Sequence, residues 1–247
     1  MFENIIDHFN VESNQNNCFQ IKKKLVVMKN SFRSYMQRIA REPISGFSHL
    51  IGAILAVVGL VFLVDKALSQ GDVFTLTGYI IFGLSMVLLY LSSALYHLLK
   101  VSERAILWLK KLDHSMIYVL IAGTYTPVCL VMLEGFWRWV PFLTIWFLAI
   151  LGIIAKLFWI DAPRWLSTTF YLAMGWIGIF LFPKLFGIAA PGFVLWLGIG
   201  GLAYTIGAII YGLKKPDPIP NFFGFHEIWH IFVMAGTFSH FWAIYMY

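Results

Sequence analysis

Charge is scarce in this chain: Asp, Glu, Lys and Arg make up 12% of its 247 residues, whereas 60% are hydrophobic. A soluble domain carries about 25% charged residues. The deficit excludes a soluble globular domain, and the mean hydropathy of +0.78 points to a bilayer. Cysteine is nearly absent. Cys18 lies in a polar N-terminal stretch and Cys129 deep in an apolar run, which argues against a disulfide framework or a thiolate-bound metal. The first 40 residues hold no apolar core followed by a small-residue cleavage site, so no cleavable signal peptide is expected, and Met28 is a second candidate start. Acidic residues are in the minority, 12 against 18 basic ones, for a net charge of +6. The basic excess sits at the ends of apolar runs, so no nucleic-acid partner is needed to account for it. No internal repeat of the transporter kind is visible. The last apolar run has no lysine, which excludes a retinal Schiff base there.

What is present is a series of seven apolar runs, each near the ~20 residues with which a helix crosses ~30 Å of hydrocarbon. They fall at about 45–65, 74–98, 113–133, 139–159, 166–186, 192–212 and 223–246. The connections are short: SQGD, KVSERAILWLKKL, LEGFWR, DAPR, KLFG and KKPDPIPN. Short loops favour antiparallel neighbours. The expected fold is all-α, a seven-transmembrane helix bundle over residues 44–247 behind a cytoplasmic basic tail, residues 1–43. In that tail Lys22, Lys23, Lys24, Lys29, Arg33, Arg38 and Arg41 are interleaved with Leu25, Val26, Val27, Phe32, Met36 and Ile39. A basic amphipathic helix on an anionic leaflet and a purely topogenic positive cluster both fit that pattern. With the N-terminus inside, fifteen Lys and Arg fall on the inner side; Lys66, Arg138 and Lys184 fall on the outer side. Inner loops collect Lys and Arg. The expectation is therefore N-terminus inside and C-terminus outside.

Ionisable residues inside spans are costly and face a protein interior or a wet cavity. The last run, from Gly224 to Tyr247, carries three histidines. His226 and His230 lie one helical turn apart on one face, which is how a helix offers two imidazoles to one metal. His240 shares the stripe but lies fourteen residues beyond His226, roughly 21 Å along the axis, too far for the same ion. His97 ends the second run, Asp113 and His114 open the third, and Glu42 and His49 begin the first. In the expected orientation all of these share one depth, as a metal site between bundle helices requires. Three imidazoles with an open fourth position suit zinc. Ser93, one turn before His97, can face a bound water or a substrate carbonyl, and Asp113 can take a proton from that water. Plainer roles stay open at this point: Asp113 as the N-cap of the third helix, Ser93 as a packing residue, and His49 and Glu42 as structural or supporting groups. His114 is expected at an interface and His240 as a bonded core histidine.

The stretches SSALYH, WLKKLDHSMIYVLIAGTYTP, TFYLAMGW and HEIWHIFVMAGTFSHFWAIY resemble the bacterial haemolysin III proteins. These are the bacterial branch of the progestin and adipoQ receptor family, which includes the adiponectin receptors. The resemblance covers the chain from Glu42 onward. It implies seven spans with the N-terminus inside, zinc on His97, His226 and His230, a water-contacting Asp113, and Ser93 beside it. The family's first-span motif appears as Glu42, Ser45, Ser48 and His49, with Ser45 in place of an asparagine; Glu42, Ser45 and His49 are candidates for support around the ligands. The adiponectin receptors are linked to ceramidase activity. The resemblance thus implies a Zn²⁺-dependent intramembrane hydrolase acting on a lipid amide or ester, with membrane lipid as substrate. A non-enzymatic membrane-homeostasis or signalling protein with structural zinc is the alternative, and a pore-forming cytolysin a third.

Overall fold

The computed structural model describes residues 33–220 and 222–247, together with Lys23, Lys24, Met28 and Ser31. Most of the basic tail lies outside the described residues, among them Lys22, Leu25, Val26, Val27, Lys29 and Phe32 of the amphipathic stretch. Of that stretch, residues 33–39 are helical. Their last carbonyls, those of Gln37 and Arg38, accept from the Lys100 ammonium at 2.6 and 2.7 Å, a cation placed where helix C-termini favour one.

The chain is helical throughout, with only an isolated Ile219–Phe223 bridge besides helices among the described residues. Eight α-helices follow the tail: α1 (Pro43–Gln70), α2 (Val73–Leu98), α3 (Glu103–Met132), α4 (Gly135–Phe158), α5 (Arg164–Trp176), α6 (Phe182–Ile188), α7 (Pro191–Leu213) and α8 (Phe225–Met246). A 3₁₀ turn, Ile177–Leu181, joins α5 to α6, so that Arg164–Ile188 forms one apolar segment. Among the described residues six segments are long and apolar enough to cross a membrane. The sequence led to an expectation of seven. The last one, α8, is 22 residues long but carries His226, Glu227, His230 and His240, which lower its hydropathy.

Local chemistry explains the boundaries. Pro43 sits in the first turn of α1, where its missing N–H costs nothing. Gly71, at φ 68°, closes the helix in the left-handed conformation that glycine adopts without strain. Asp72 then caps α2, accepting from both the N–H and the hydroxyl of Thr75 at 2.8 Å. The largest departure from the sequence reading is α3, which begins at Glu103 rather than near residue 113. The stretch ERAILWLKK is helical because its lysines reach polar partners without leaving the helix. Lys110 pairs with Asp161 at 2.9 Å, and Lys111 donates to the Leu157 carbonyl at 2.6 Å. Ser102 is the cap, accepting from the Ala105 N–H at 3.4 Å. Asp113 is therefore a mid-helix residue, and the capping role left open for it is ruled out.

Helices α1 to α4 pack in chain order, α7 packs along α8, and α8 returns against α1. The α2–α3 contact is close enough that a Cβ on Gly78 would stand 3.0 Å from the Pro127 Cα. Apolar side chains on the outside of α1, among them Ile51, Ile54, Leu55, Val61 and Phe62, are exposed, as lipid-facing groups are. The α5–α6 segment touches α3 and α7 only sparsely. Between α3, α5, α7 and α8 the loose packing leaves a cavity of about 700 Å³.

Candidate metal centre

At the end of the bundle where α1 starts and α2 stops, three histidines converge. His97 is the penultimate residue of α2, and His226 and His230 occupy the first two turns of α8. One ring nitrogen from each lies within 4.8 Å of the others. His97 and His230 are almost wholly buried, at 1% and 3% exposure. The Nε2 atoms of His97 and His226 face each other at 3.5 Å. Two nitrogens bound at about 2.0–2.1 Å to a tetrahedral ion stand about 3.3–3.4 Å apart. The spacing is that of two ligands on one ion, and the triad can hold one metal.

The surroundings fit the same use. Glu42, immediately before α1, accepts from His97 Nδ1–H at 2.7 Å. That bond selects the tautomer whose Nε2 lone pair points to the cluster, as carboxylates behind metal-bound imidazoles do. Backbone bonding holds the carboxylate in place: Glu42 N–H donates to the His97 carbonyl at 2.8 Å, and the Arg41 guanidinium lies 3.4 Å from the other carboxylate oxygen. His49 stacks on His230, with centroids 3.8 Å apart and planes 16° from parallel, and so holds that ring from behind. Ser45 donates to Glu227 Oε1 at 2.8 Å, while Glu227 Oε2 accepts from the Gly224 N–H at 2.8 Å. These two bonds tie the first turn of α8 to α1. Glu227 was missed in the sequence, although an acid three residues after the N-cap is a recognisable capping signal.

Ser93 and Asp113 line the same cavity as His49, His226 and His230. The Ser93 hydroxyl is buried and has no hydrogen-bond partner, whereas neighbouring Ser92 donates to the Leu89 carbonyl at 2.9 Å. Asp113 is buried, with its carboxylate 3.6 Å from His114 Nδ1. His114 itself donates from Nδ1 to the Lys110 carbonyl at 2.8 Å. His240 stands apart at the far end of α8, with its Nε2 on the Leu197 carbonyl at 3.1 Å. It belongs to the core contacts of α7 and α8.

Comparison with known proteins identifies the family. The family model described as "Haemolysin-III related" matches residues 37–241. The "Hemolysin-3 homolog" of Bacillus subtilis is 39% identical over 213 residues, covering 86% of this chain and 96% of its own. The "Hemolysin-3" of Bacillus cereus is 38% identical over 215 residues, 85% of this chain and 93% of its own. The human "Monocyte to macrophage differentiation factor" is 25% identical over 240 residues, 89% of this chain and 94% of its own. With six membrane-length helices among the described residues, a three-histidine cluster and a family match over most of its length, the chain is a multi-pass membrane protein of the haemolysin III family.

Proposed function

We propose that this protein is a zinc-dependent hydrolase that cleaves a lipid amide or ester within the membrane. The observation that carries the reading is that two of the three clustered histidines, His226 and His230, line a largely apolar cavity of about 700 Å³ that an unpartnered hydroxyl and a buried carboxylate also line. The donor set of three imidazoles suits zinc, which when bound would polarise an acyl carbonyl and lower the pKa of a water to about 7.

The chain's own residues do the rest. His97, His226 and His230 hold the ion, with Glu42 and His49 fixing two of the rings. The Ser93 hydroxyl, which has no acceptor of its own, donates to the acyl oxygen as charge develops there. The Asp113 carboxylate takes a proton from the attacking water. The water's OH joins the acyl carbon as the C–N or C–O bond breaks, and the proton goes to the leaving nitrogen or oxygen.

The same reading takes α8 as a seventh span, with the histidine end facing the cytoplasm. Its 22 residues extend about 33 Å at 1.5 Å each. Lys100, Lys110, Lys111, Lys156, Arg164, Lys214 and Lys215 lie at or near that end of their helices. Alkaline phosphatase fused after Tyr247 is expected to be active, and activity from a fusion in the 99–102 turn would overturn the orientation.

Chemistry and structure separate at Asp113. Asp113→Asn keeps size and hydrogen bonding but has no basicity, so hydrolysis is expected to fall by about 10²–10⁴-fold with zinc content unchanged. Zinc content and lipid hydrolysis are measured on one preparation. Full zinc with full hydrolysis in the variant removes Asp113 as the base. Zinc without hydrolysis in the unmodified protein supports a second reading, a structural ion. That reading has its own support in the way Glu42, His97 and His226 link α1, α2 and α8.

A further inference from the structure

The cavity has a second polar region besides His226 and His230. Lys110, Lys156, Arg164, Ser167 and Thr168 line its wall where α3, α4 and α5 meet. Arg164, Ser167, Thr168 and Tyr171 stand at i, i+3, i+4 and i+7 on α5, so one helix face carries all four into the cavity.

Two cations here lack anionic partners. Lys156 is only 4% exposed, and its ammonium bonds the Ser167 hydroxyl at 2.5 Å. Arg164 has a buried Nη1 with no hydrogen-bond partner, its guanidinium lying 4.6 Å over the Tyr211 ring. The nearby Asp161 is paired with Lys110 at 2.9 Å, and among the described residues no salt bridge reaches Lys156 or Arg164. Burying an ammonium without a counter-charge is expensive. A guanidinium edge and an ammonium on one wall suit an oxyanion. Beyond them the cavity is walled by residues such as Ile121, Val128, Leu172, Leu185 and Leu197. From His226 to His240, both on its wall, α8 advances about 21 Å, longer than the roughly 15 Å of one hydrocarbon leaflet.

We propose that this cavity selects an anionic amphiphile, with its carboxylate or phosphate held by Lys156 and Arg164 and its hydrocarbon chain along the apolar wall. The inference deepens the hydrolase reading, on which it rests for the lipid nature of the substrate, by naming the charge of the headgroup. A neutral lipid would leave both cations without an anionic partner. Ser167 and Thr168 are not further anion partners of comparable reach, since Ser167 already accepts from Lys156 and Thr168 donates to the Arg164 carbonyl at 2.9 Å.

The test is equilibrium binding to the full chain in phosphatidylcholine nanodiscs, with radiolabelled probes of equal chain length and no turnover in the readout. The probes are oleate, oleoyl lysophosphatidate and neutral monooleoylglycerol, with inorganic phosphate as a chain-free competitor. At least one anionic amphiphile is expected to bind about tenfold or more tightly than the neutral one, the range of one charge-assisted hydrogen bond. Oleate and lysophosphatidate together tell whether carboxylate or phosphate is preferred. Lys156→Met and Arg164→Gln should each remove about tenfold of the anionic affinity and leave monooleoylglycerol binding unchanged, while Lys156→Arg retains it. Unchanged neutral binding also shows that the variants are folded. Should Lys156→Met fail to fold, Arg164→Gln, at a half-buried site, decides alone. Equal binding of neutral and anionic probes, equal losses for both in the variants, or full competition by inorganic phosphate overturns the proposal. Binding with this selectivity but no hydrolysis would retain the headgroup site and remove the hydrolase reading, so the two fail separately.

Discussion

At one end of α8, His226 and His230 turn their rings toward His97 on α2, and the Nε2 atoms of His226 and His97 approach to 3.5 Å. At the other end His240 gives its Nε2–H to the Leu197 carbonyl and lies against the Tyr204 ring, with centroids 5.5 Å apart. The residue type, helix and degree of burial are alike, yet one end gathers lone pairs and the other spends its polar atom on the backbone. The difference lies in the neighbours. Near His226 the facing helix α2 supplies a third imidazole, and the start of α1 supplies a carboxylate behind it. Near His240 the facing helix supplies a backbone carbonyl and the Tyr204 ring but no metal-ligating side chain, and it is approached closely because residue 200 is glycine: a Cβ there would stand 2.4 Å from His240 Nε2. A buried histidine thus acquires its role from the opposite helix.

The sharpest test of this contrast is the alanine pair. His226→Ala is expected to abolish stoichiometric zinc binding and lower thermal stability, because metal binding also stabilises the fold that presents the site. His240→Ala should keep full zinc and lose about 0.5–1.5 kcal/mol with its hydrogen bond. Metal analysis of the two purified variants decides, and equal zinc in both would erase the distinction. Next in size is Glu42→Gln. The amide still reaches His97 Nδ1 but loses the charge, so zinc affinity should drop by about 10–100-fold in competition with a chelator. An unchanged affinity would leave Glu42 as a helix-end residue only. The third test is Gly200→Ala, where the added methyl must displace the His240 ring. A cost of about 1–3 kcal/mol is expected, read as a fall in melting temperature with zinc content unaltered.

Legibility in the sequence followed the range of the forces involved. The i, i+4 pair on α8 was readable because helical periodicity alone puts His226 and His230 on one face. So was the turn of Ser93 behind His97. Asp113 was ambiguous, because a Leu-Asp after two lysines reads equally as the start of a helix and as its middle. Only the Lys110–Asp161 and Lys111–Leu157 contacts, across 51 and 46 residues, show why α3 continues through KK. Lys156 and Arg164 read as ordinary positive charges at the ends of spans. That two of them lack anionic partners while Lys110 takes Asp161 cannot be seen from spacing.

The amino-acid sequence by itself determined the membrane class, the helical character and most helix ends, since hydropathy, caps and turn residues act over a few positions. It also determined which side chains are able to ligate a metal. Only the tertiary structure decided which of them meet. It brought His97 to α8, set Glu42 on its far nitrogen, stacked His49 on His230, sent His240 to a carbonyl and left a cavity under the loosely packed α5. Those outcomes depend on which helix lies opposite which, and hydrogen bonds and rings that act over 3–5 Å register that choice only once the bundle has closed.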